Sequence, residues 1–331
     1  MWLARRKFCA AGAAVALAPY PLFAQRQSGE RRAVLIGVCD YQKFPNRRLE
    51  GPANDVLRVR ALLQSRGFSD IEVVADRLGA SVPLPTRANI VSAFNAMSER
   101  ISGGDFLFLY FAGHGAQQPV INPKREELDG VDEVLLPSDA GRLSEFLTIQ
   151  NAIVDDDIGA FISACRKRGA TVWAVVDACH AGDSTRDAPL PTGATARGLT
   201  TLDLGFPKWV QQLVDRFPAS QRTARLGQIN LCGDGATQLA GGMLGFFACR
   251  SDQRTIELPV SQNQAGRRVS GLFTHVLLTH LAAPDAERSA TYLDLVKHME
   301  RTYAQDWQGW NWQPQFCADP ASEIATRGIF T

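Results

Sequence analysis

The feature that most constrains the fold of this chain is a series of short apolar runs, each followed by residues with helical spacing. The first run, residues 33–38, is continuous and rich in β-branched residues, as expected for a strand buried on both faces. The other predicted strands here are 71–75, 106–111 and 171–176, and the predicted helices are 49–67, 87–101 and 158–168. Repeated βα units predict an α/β fold with a mostly parallel sheet and helices on both faces.

The pattern weakens between residues 183 and 243, where prolines and glycines surround one helical patch at 209–217. We interpret this segment as a linker or an insertion. The pattern becomes clear again with an apolar strand at 244–249 and helical patterns at 272–281 and 292–303. In the tail, Trp310, Trp312 and Phe316 are expected to pack against the sheet. The 331 residues, 45% of them hydrophobic, can bury a large core.

The N-terminal residues differ from the rest of the chain. Arg5, Arg6 and Lys7 precede an apolar, alanine-rich run that ends near Pro19. This layout predicts a signal peptide over residues 1–24, and the arginine pair resembles a twin-arginine signal. The alternative is a short buried helix. The run is shorter than the roughly 20 residues that span a bilayer, and no later run is that long, so an exported periplasmic or secreted protein without a membrane span is expected.

Charge and cysteine spacing exclude several classes of function. The net charge is +1, from 35 basic and 34 acidic residues, which argues against a nucleic-acid partner or a basic membrane-binding face. Seven cysteines occur without a CxxC pair or metal-finger spacing, which argues against zinc. Cys39, Cys165 and Cys249 lie in apolar stretches and are interpreted as small buried hydrophobic residues.

Two of the predicted strands end in reactive side chains. Residues 106–111 lead into His114, and residues 171–176 lead into Cys179. The carboxyl ends of parallel strands lie along one edge of the sheet, so these two side chains are expected to face each other on solvent-facing strand ends. An imidazole beside a thiol assists its deprotonation and can protonate a leaving amine. The sequence therefore predicts a catalytic Cys179–His114 pair.

Glycines flank the predicted catalytic pair. They allow a substrate to approach the backbone closely, and the amides of Gly115 and Cys179 are the predicted donors to a tetrahedral oxyanion. Taken singly, a histidine in a turn and a buried thiol would explain the two residues; their joint occurrence at strand ends beside glycine favours catalysis. His180 is interpreted as structural.

Two motifs give the chain a specific resemblance. Residues 111–115 (FAGHG) and 177–182 (DACHAG) resemble the catalytic motifs of metacaspases, and similarity extends to residues 49–56, 129–139, 155–158 and 249–257. The resemblance, to the bacterial type, implies a caspase-like three-layer sandwich with a large-subunit region at 33–182 and a small-subunit-like region at 244–318. It also implies a monomeric cysteine endopeptidase that cleaves proteins or peptides after Arg or Lys and needs no organic cofactor.

The resemblance further implies binding roles. Asp55 and Asp177 correspond to acidic residues of the first specificity pocket, and Ala112 stands where the family often has serine. Asp129, Asp155 and Asp156 match in kind the aspartates that bind calcium in some metacaspases. Capping of the helix predicted to begin near residue 158 explains the latter two almost equally well.

Other functions stay open. The chain could be a catalytically silent caspase-like scaffold, which the complete motifs argue against, or another hydrolase or transferase with a Cys–His pair. The segment between residues 183 and 242 could be an exposed connection cut by the enzyme itself, since it holds Arg186, Arg197, Arg222 and Arg225. Alternatively, it could be an ordered insertion that covers the site.

Overall fold

The computed structural model describes residues 29–119, 131–142, 144, 148–179, 190–215, 239–250, 253–261, 267–283, 290–307 and 312–330. The strands are β1 (Arg31–Gly37), β2 (Asp70–Ala75), β3 (Phe106–Ala112), β4 (Gly115–Pro119), β5 (Val131–Leu135), β6 (Ile153–Val154), β7 (Thr171–Asp177), β8 (Thr195–Ala196), β9 (Met243–Phe247), β10 (Ile256–Ser261), β11 (Arg267–Gly271) and β12 (Gln315–Asp319). The α-helices are α1 (Gly51–Ser65), α2 (Arg87–Arg100), α3 (Asp155–Lys167), α4 (Lys208–Asp215), α5 (Leu272–Leu281), α6 (Tyr292–Asp306) and α7 (Ala321–Ile324). A short 3₁₀ helix covers Pro45–Arg47.

A six-stranded sheet forms the centre, in the order β12-β9-β7-β3-β1-β2. The neighbours from β9 to β2 run parallel, and only β12 is antiparallel to its neighbour within this sheet. Two antiparallel three-stranded sheets, β4-β5-β6 and β11-β10-β8, complete the described strands. The predicted α/β fold with a mostly parallel central sheet is confirmed.

The alternating faces of the central strands produce two cores. In β3, Leu107, Leu109 and Phe111 belong to one apolar cluster, whereas Phe108 and Tyr110 belong to the other. The first cluster also contains the apolar residues of α2 and α3, and the second contains those of α1, α5 and α6. Burial on both faces explains why the strands read as continuous apolar runs. The result is the three-layer sandwich expected from the sequence.

The predicted central strands and main helices agree with the structure to within a few residues at each end. The strands of the two small sheets were not predicted, because they are short and lack a continuous apolar run. Residues 315–319 form an edge strand of the central sheet, and Trp312 and Phe316 pack against its core, as the tail was expected to do. Cys39, Cys165 and Cys249 are buried, as predicted, while Cys317 is disulfide-bonded.

Several predictions fall outside the described residues. These are the signal peptide at 1–24, Asp129, His180, Trp310 and the arginines at 186, 222 and 225. In the part of the chain that is described, no helix has both the length and the apolar character needed to cross a bilayer. Export to the periplasm stays a prediction.

Candidate active site

The candidate site lies at the carboxyl edge of the central sheet. Strands β3 and β7 are adjacent, with Ala112 opposite Asp177 at their ends. His114 and Cys179 each follow two residues later, and both line one cavity of about 340 Å³. Ala112, the residue predicted to contribute to the specificity pocket, is fully buried at the end of β3. The topology therefore brings together the two groups that the sequence predicted as a catalytic pair.

The hydrogen bonds of His114 show which of its ring nitrogens carries the proton. Its Nε2 lies 2.7 Å from the carbonyl oxygen of Arg47, which can only accept, so Nε2 carries the proton. In the neutral ring Nδ1 then holds a lone pair, and this buried atom has no hydrogen-bond partner among the described residues. The backbone N–H of His114 donates to the Tyr41 hydroxyl at 2.6 Å, and the two rings are 4.8 Å apart. Tyr41 and the Arg47 carbonyl thus hold an imidazole whose basic nitrogen is available.

Burial keeps this imidazole neutral. Loss of solvation lowers the pKa of His114 from 6.5 to about 4, and the positive charge of Arg197 acts in the same direction. The hydrogen bond to Arg47 opposes the shift by favouring the protonated ring. At neutral pH the ring is therefore a base that can take a proton from a thiol.

The lowered pKa of His114 predicts a pH-dependent contribution to stability. Between pH 6.5 and 4 the unfolded chain binds a proton at His114 that the folded chain does not, so acidification through this window favours unfolding. The free energy of unfolding of the wild type, relative to that of His114→Asn, should fall by about 3 kcal/mol over the window. Denaturant titrations of both proteins across this pH range measure it. A difference that does not vary with pH would contradict the burial of this imidazole.

The predicted catalytic pair is not solvent-facing, contrary to the prediction from the strand ends. His114 is 2% exposed and Cys179 is 1% exposed. The described residues 190–215 cover them: Leu199 donates from its N–H to the Gly115 carbonyl at 2.9 Å, and a Cβ added at Gly198 would overlap the Cys179 sulfur. The prediction was wrong because strand ends are exposed only when no later segment of the chain crosses them.

The covering segment is packed against the rest of the domain. Its apolar side chains Leu199, Leu204 and Phe206 belong to the same core cluster as the α2–α3 layer. Asp203 forms an ion pair with Arg47, next to the carbonyl that holds His114. Of the two alternatives left open for residues 183–242, the described part thus corresponds to an ordered insertion over the site.

A second cysteine lies beside Cys179. The thiol of Cys249, which follows β9, donates to the Gln253 carbonyl at 3.4 Å and also interacts with the Cys179 thiol. Burial raises the pKa of Cys249 well above its usual value, and the contact with Cys179 raises it further. Cys249 therefore stays protonated, which leaves Cys179 as the thiol that shares a cavity with an imidazole.

A guanidinium fills a pocket of three carboxylates next to the predicted catalytic pair. Arg197 is fully buried, and its Nη2 lies 2.6 Å from Asp55 Oδ2 and 3.5 Å from Glu257 Oε2. Its Nη1 lies 3.0 Å from Asp177 Oδ2. Asp55 and Asp177, predicted to line a specificity pocket, thus contact different arms of one guanidinium. Glu257 completes the pocket.

Asp55 accepts hydrogen bonds from residues at the end of β11. Ser270 donates to its Oδ1 at 2.5 Å, and the N–H of Gly271 donates to its Oδ2 at 3.0 Å. Burial raises the pKa of Asp55 to about 6, while Arg197 opposes the rise and Asp177 adds to it. A Cβ on Gly271 would overlap both Asp177 and Arg197. The backbone at residue 271 can therefore lie this close to the two side chains only because the residue is glycine.

The other two carboxylates are also fixed in place. Thr274 donates to Asp177 Oδ2 from its N–H at 3.1 Å and from its hydroxyl at 2.6 Å, and Thr255 donates to Oδ1 at 3.3 Å. Glu257 accepts from two backbone N–H groups at the start of α1, at 2.8 and 3.0 Å. Glu257 and Thr274 had no role predicted from the sequence, although Glu257 closes the motif at 249–257.

A pair of backbone donors contacts the residue whose side chain fills the carboxylate pocket. The N–H groups of Cys179 and Gly115 lie 2.9 and 3.4 Å from the carbonyl oxygen of Arg197. These are the two groups predicted to stabilise an oxyanion. One residue thus places its side chain in the pocket and its carbonyl oxygen on the two donors.

The residues predicted to bind calcium do not form a ligand cluster in the described chain. Asp155 and Asp156 lie in the first turn of α3, where acidic groups favour the helix dipole. Asp155 Oδ1 accepts from the N–H of Asp156, and the neighbouring Asp157 is paired with Arg87 at 2.7 Å. Among the described residues, no group of three or more aspartate, glutamate, histidine or cysteine side chains is placed so that it could hold a metal ion. A need for calcium stays a prediction.

Sequence comparison relates part of the chain to a known family. The family model of the metacaspase, peptidase C14 domain matches residues 31–188, which contain the motifs at 111–115 and 177–182. Over these residues the chain is similar to metacaspases. This metacaspase-like chain is 33% identical over 158 residues to Metacaspase-1B of Aspergillus oryzae, covering 47% of this chain and 35% of that protein. It is 32% identical over 240 residues to Metacaspase-1B of Aspergillus niger, covering 69% of this chain and 48% of that protein.

Coverage of these metacaspases is partial. The metacaspase-like chain spans about a third of the length of the first curated relatives it matches. A match to Metacaspase-1 of Lodderomyces elongisporus is longer, at 27% identity over 92% of this chain and 68% of that protein. A crystal structure of a Geobacter sulfurreducens protein aligns with a TM-score of 0.58 and 19% identity, covering 91% of this chain and 98% of that one. The last comparison supports the fold.

Proposed function

We propose that the protein is a cysteine endopeptidase that cleaves peptide bonds after arginine and, less efficiently, after lysine. The observation that carries the proposal is the position of Arg197. Its guanidinium contacts three carboxylates while its carbonyl oxygen accepts from the N–H groups of Cys179 and Gly115. A peptidase needs this combination, namely a pocket for one side chain and an oxyanion site for the carbonyl that follows it.

The chemistry follows from the same geometry. Nδ1 of His114 takes the proton of the Cys179 thiol, and the thiolate attacks the carbonyl carbon. Charge that develops on the oxygen is stabilised by the two backbone N–H groups. Collapse of the intermediate leaves a thioester, the imidazolium gives its proton to the leaving amine, and water then releases the acid and restores the thiol.

The pocket favours arginine over lysine. Asp55 and Asp177 contact the two terminal nitrogens of the guanidinium separately, and Glu257 reaches the same nitrogen as Asp55. A planar guanidinium can use both contacts at once, whereas an ammonium is a single point of charge. Lysine substrates should therefore be cut, but with a lower kcat/KM than arginine substrates.

Two other functions fit the geometry less well. A silent scaffold has no use for a neutral imidazole and a thiol that line one cavity, next to two backbone donors. A hydrolase or transferase of another type has no use for three buried carboxylates beside its nucleophile. Both alternatives predict that an arginine peptide has no special affinity for the site.

Labelling with thiol-reactive peptides tests the proposal. Peptides ending in Arg, Lys or Asp and carrying the same electrophile should modify Cys179 in that order of rate, with Asp unreactive. Cys179→Ala is the control for labelling of other cysteines. A scaffold would react with none, and an unrelated hydrolase would not distinguish Arg from Asp. Running a fluorogenic arginine peptide with and without calcium decides whether this ion is needed.

A further inference from the structure

An arginine outside the carboxylate pocket contacts a hydrogen-bond donor of Asp55. Arg58 lies on α1, about one helical turn after Asp55, so the two side chains share a face of the helix. Nη1 of Arg58 donates to the Ser270 hydroxyl at 2.7 Å, and this hydroxyl donates to Asp55 Oδ1 at 2.5 Å. Ser270 and Asp55 are buried, whereas Arg58 is half-buried. The serine hydroxyl therefore links a half-buried cation to a buried carboxylate of the pocket.

The chemistry of the three groups fixes the direction of both hydrogen bonds. A guanidinium has only donors, so the hydroxyl accepts from Arg58. The hydroxyl carries a single proton, and its other acceptor, the carbonyl oxygen of Gly271, is farther away, at 3.4 Å against 2.5 Å for Asp55 Oδ1. Asp55 is therefore the acceptor of the Ser270 proton.

Arg58 is not required to hold β11 against α1. Asn54 donates to the Val269 carbonyl at 3.0 Å, and the N–H of Gly271 donates to Asp55 Oδ2 at 3.0 Å. These two bonds join the helix to the strand without Arg58. What Arg58 adds is its contact with the hydroxyl, and with it a positive charge one hydroxyl group away from Asp55.

The second arm of the Arg58 guanidinium is also placed. Its Nη2 lies 3.5 Å from Nδ1 of His275 on α5. Burial and the charge of Arg58 lower the pKa of His275, so the ring is neutral at neutral pH and Nδ1 can accept. His275 follows Thr274, which donates to Asp177. Two successive residues of α5 thus support both aspartates of the pocket, one directly and one through Arg58 and Ser270.

Asp55 needs this support because burial works against its charge. Loss of solvation raises the pKa of Asp55, and the hydrogen bond from Ser270 opposes the rise. The ionised carboxylate forms the stronger hydrogen bonds with a guanidinium. We propose that Arg58 is a positioning residue for arginine recognition, which directs the Ser270 hydroxyl onto Asp55 and so tightens the binding of a substrate guanidinium. This inference rests on the proposed function and deepens it, because it adds a residue that acts through Ser270 rather than by contact with the substrate.

Steady-state kinetics of the full-length protein with arginine peptides test the inference. Arg58→Met keeps an apolar stem and removes every donor. Its KM should rise about tenfold with kcat unchanged, because a guanidinium is bound equally in the ground state and the transition state. Arg58→Lys keeps a charged donor, and its KM should stay within about threefold of the wild type. Arg60→Met is the matched control on an exposed position of α1 and should change nothing.

A double-mutant cycle shows whether Arg58 acts through the hydroxyl. Ser270→Ala should raise KM for arginine peptides at least as much as Arg58→Met does, and the double variant should resemble Ser270→Ala alone. Independent, additive effects of the two substitutions would overturn the inference. Uncharged peptides should show the same KM in all of these variants, and a rise in that series would also overturn it.

Active-site titration with the thiol-reactive arginine peptide separates a structural effect from a positioning effect. A misfolded fraction lowers the titre and leaves KM unchanged, and an unchanged KM in Arg58→Met overturns the inference while the proposed function stands. If Arg58→Met does not fold, Arg58→Gln, which keeps a neutral donor, decides in its place with a smaller rise in KM. A wild type that does not hydrolyse arginine peptides overturns both the proposed function and this inference.

Discussion

Replacing Cys179 by alanine is expected to abolish peptidase activity, with a loss of at least about 10⁴-fold in kcat. The reason is that no other thiol of the described residues shares the cavity with the imidazole: Cys249, its buried neighbour, has a pKa raised well above its usual value. His114→Ala should lose activity to a similar extent, because the two residues act as one unit and their effects do not add. Hydrolysis of a fluorogenic arginine peptide measures both losses.

A matched control distinguishes loss of the nucleophile from loss of the fold. Cys165 is a fully buried cysteine on α3 that does not line the cavity, and Cys165→Ala removes the same atom there. This variant should keep its activity and lose only some stability, because a small cavity replaces the sulfur. Substantial turnover by Cys179→Ala would contradict the assignment of the nucleophile, whatever the control shows.

Removing one carboxylate of the pocket is expected to cause the second largest effect. Asp55→Asn and Asp177→Asn should each lower kcat/KM for arginine substrates by about 2–5 kcal/mol equivalent, which is roughly 30-fold or more. Each aspartate contacts its own arm of the guanidinium, so neither can replace the other. Steady-state kinetics with arginine and uncharged peptides should show that the loss is confined to the arginine series.

Asp105 offers the corresponding control. It is a buried carboxylate paired with Arg32 at 3.1 Å, and it lies just before β3, at the end of the sheet opposite the site. Asp105→Asn should reduce stability and leave the ratio of kcat/KM for arginine and uncharged peptides unchanged. A wild type that prefers peptides ending in aspartate would show that the pocket has been misread.

The residues of the site differ in how well the sequence predicts their roles. Asp55 and Asp177 were singled out only through the resemblance to metacaspases, since nothing in the spacing of two aspartates from different elements shows that they meet. Glu257 and Ser270 had no assigned role, because they lie on β10 and β11, short strands of a small sheet without an apolar run. Arg197 appeared only as one of four arginines that could be cut.

The sequence by itself determined the central sheet and the positions of the two reactive groups. Strands buried on both faces appear in the sequence as continuous apolar runs. Because the groups that follow parallel strands meet at one edge of the sheet, the sequence alone predicts that His114 and Cys179 form a pair. Only the tertiary structure decided that both are buried and that Arg197 occupies the carboxylate pocket. The segment that covers the site is held by contacts between residues distant in sequence, such as Arg197 with Asp55. A local sequence pattern cannot indicate such contacts.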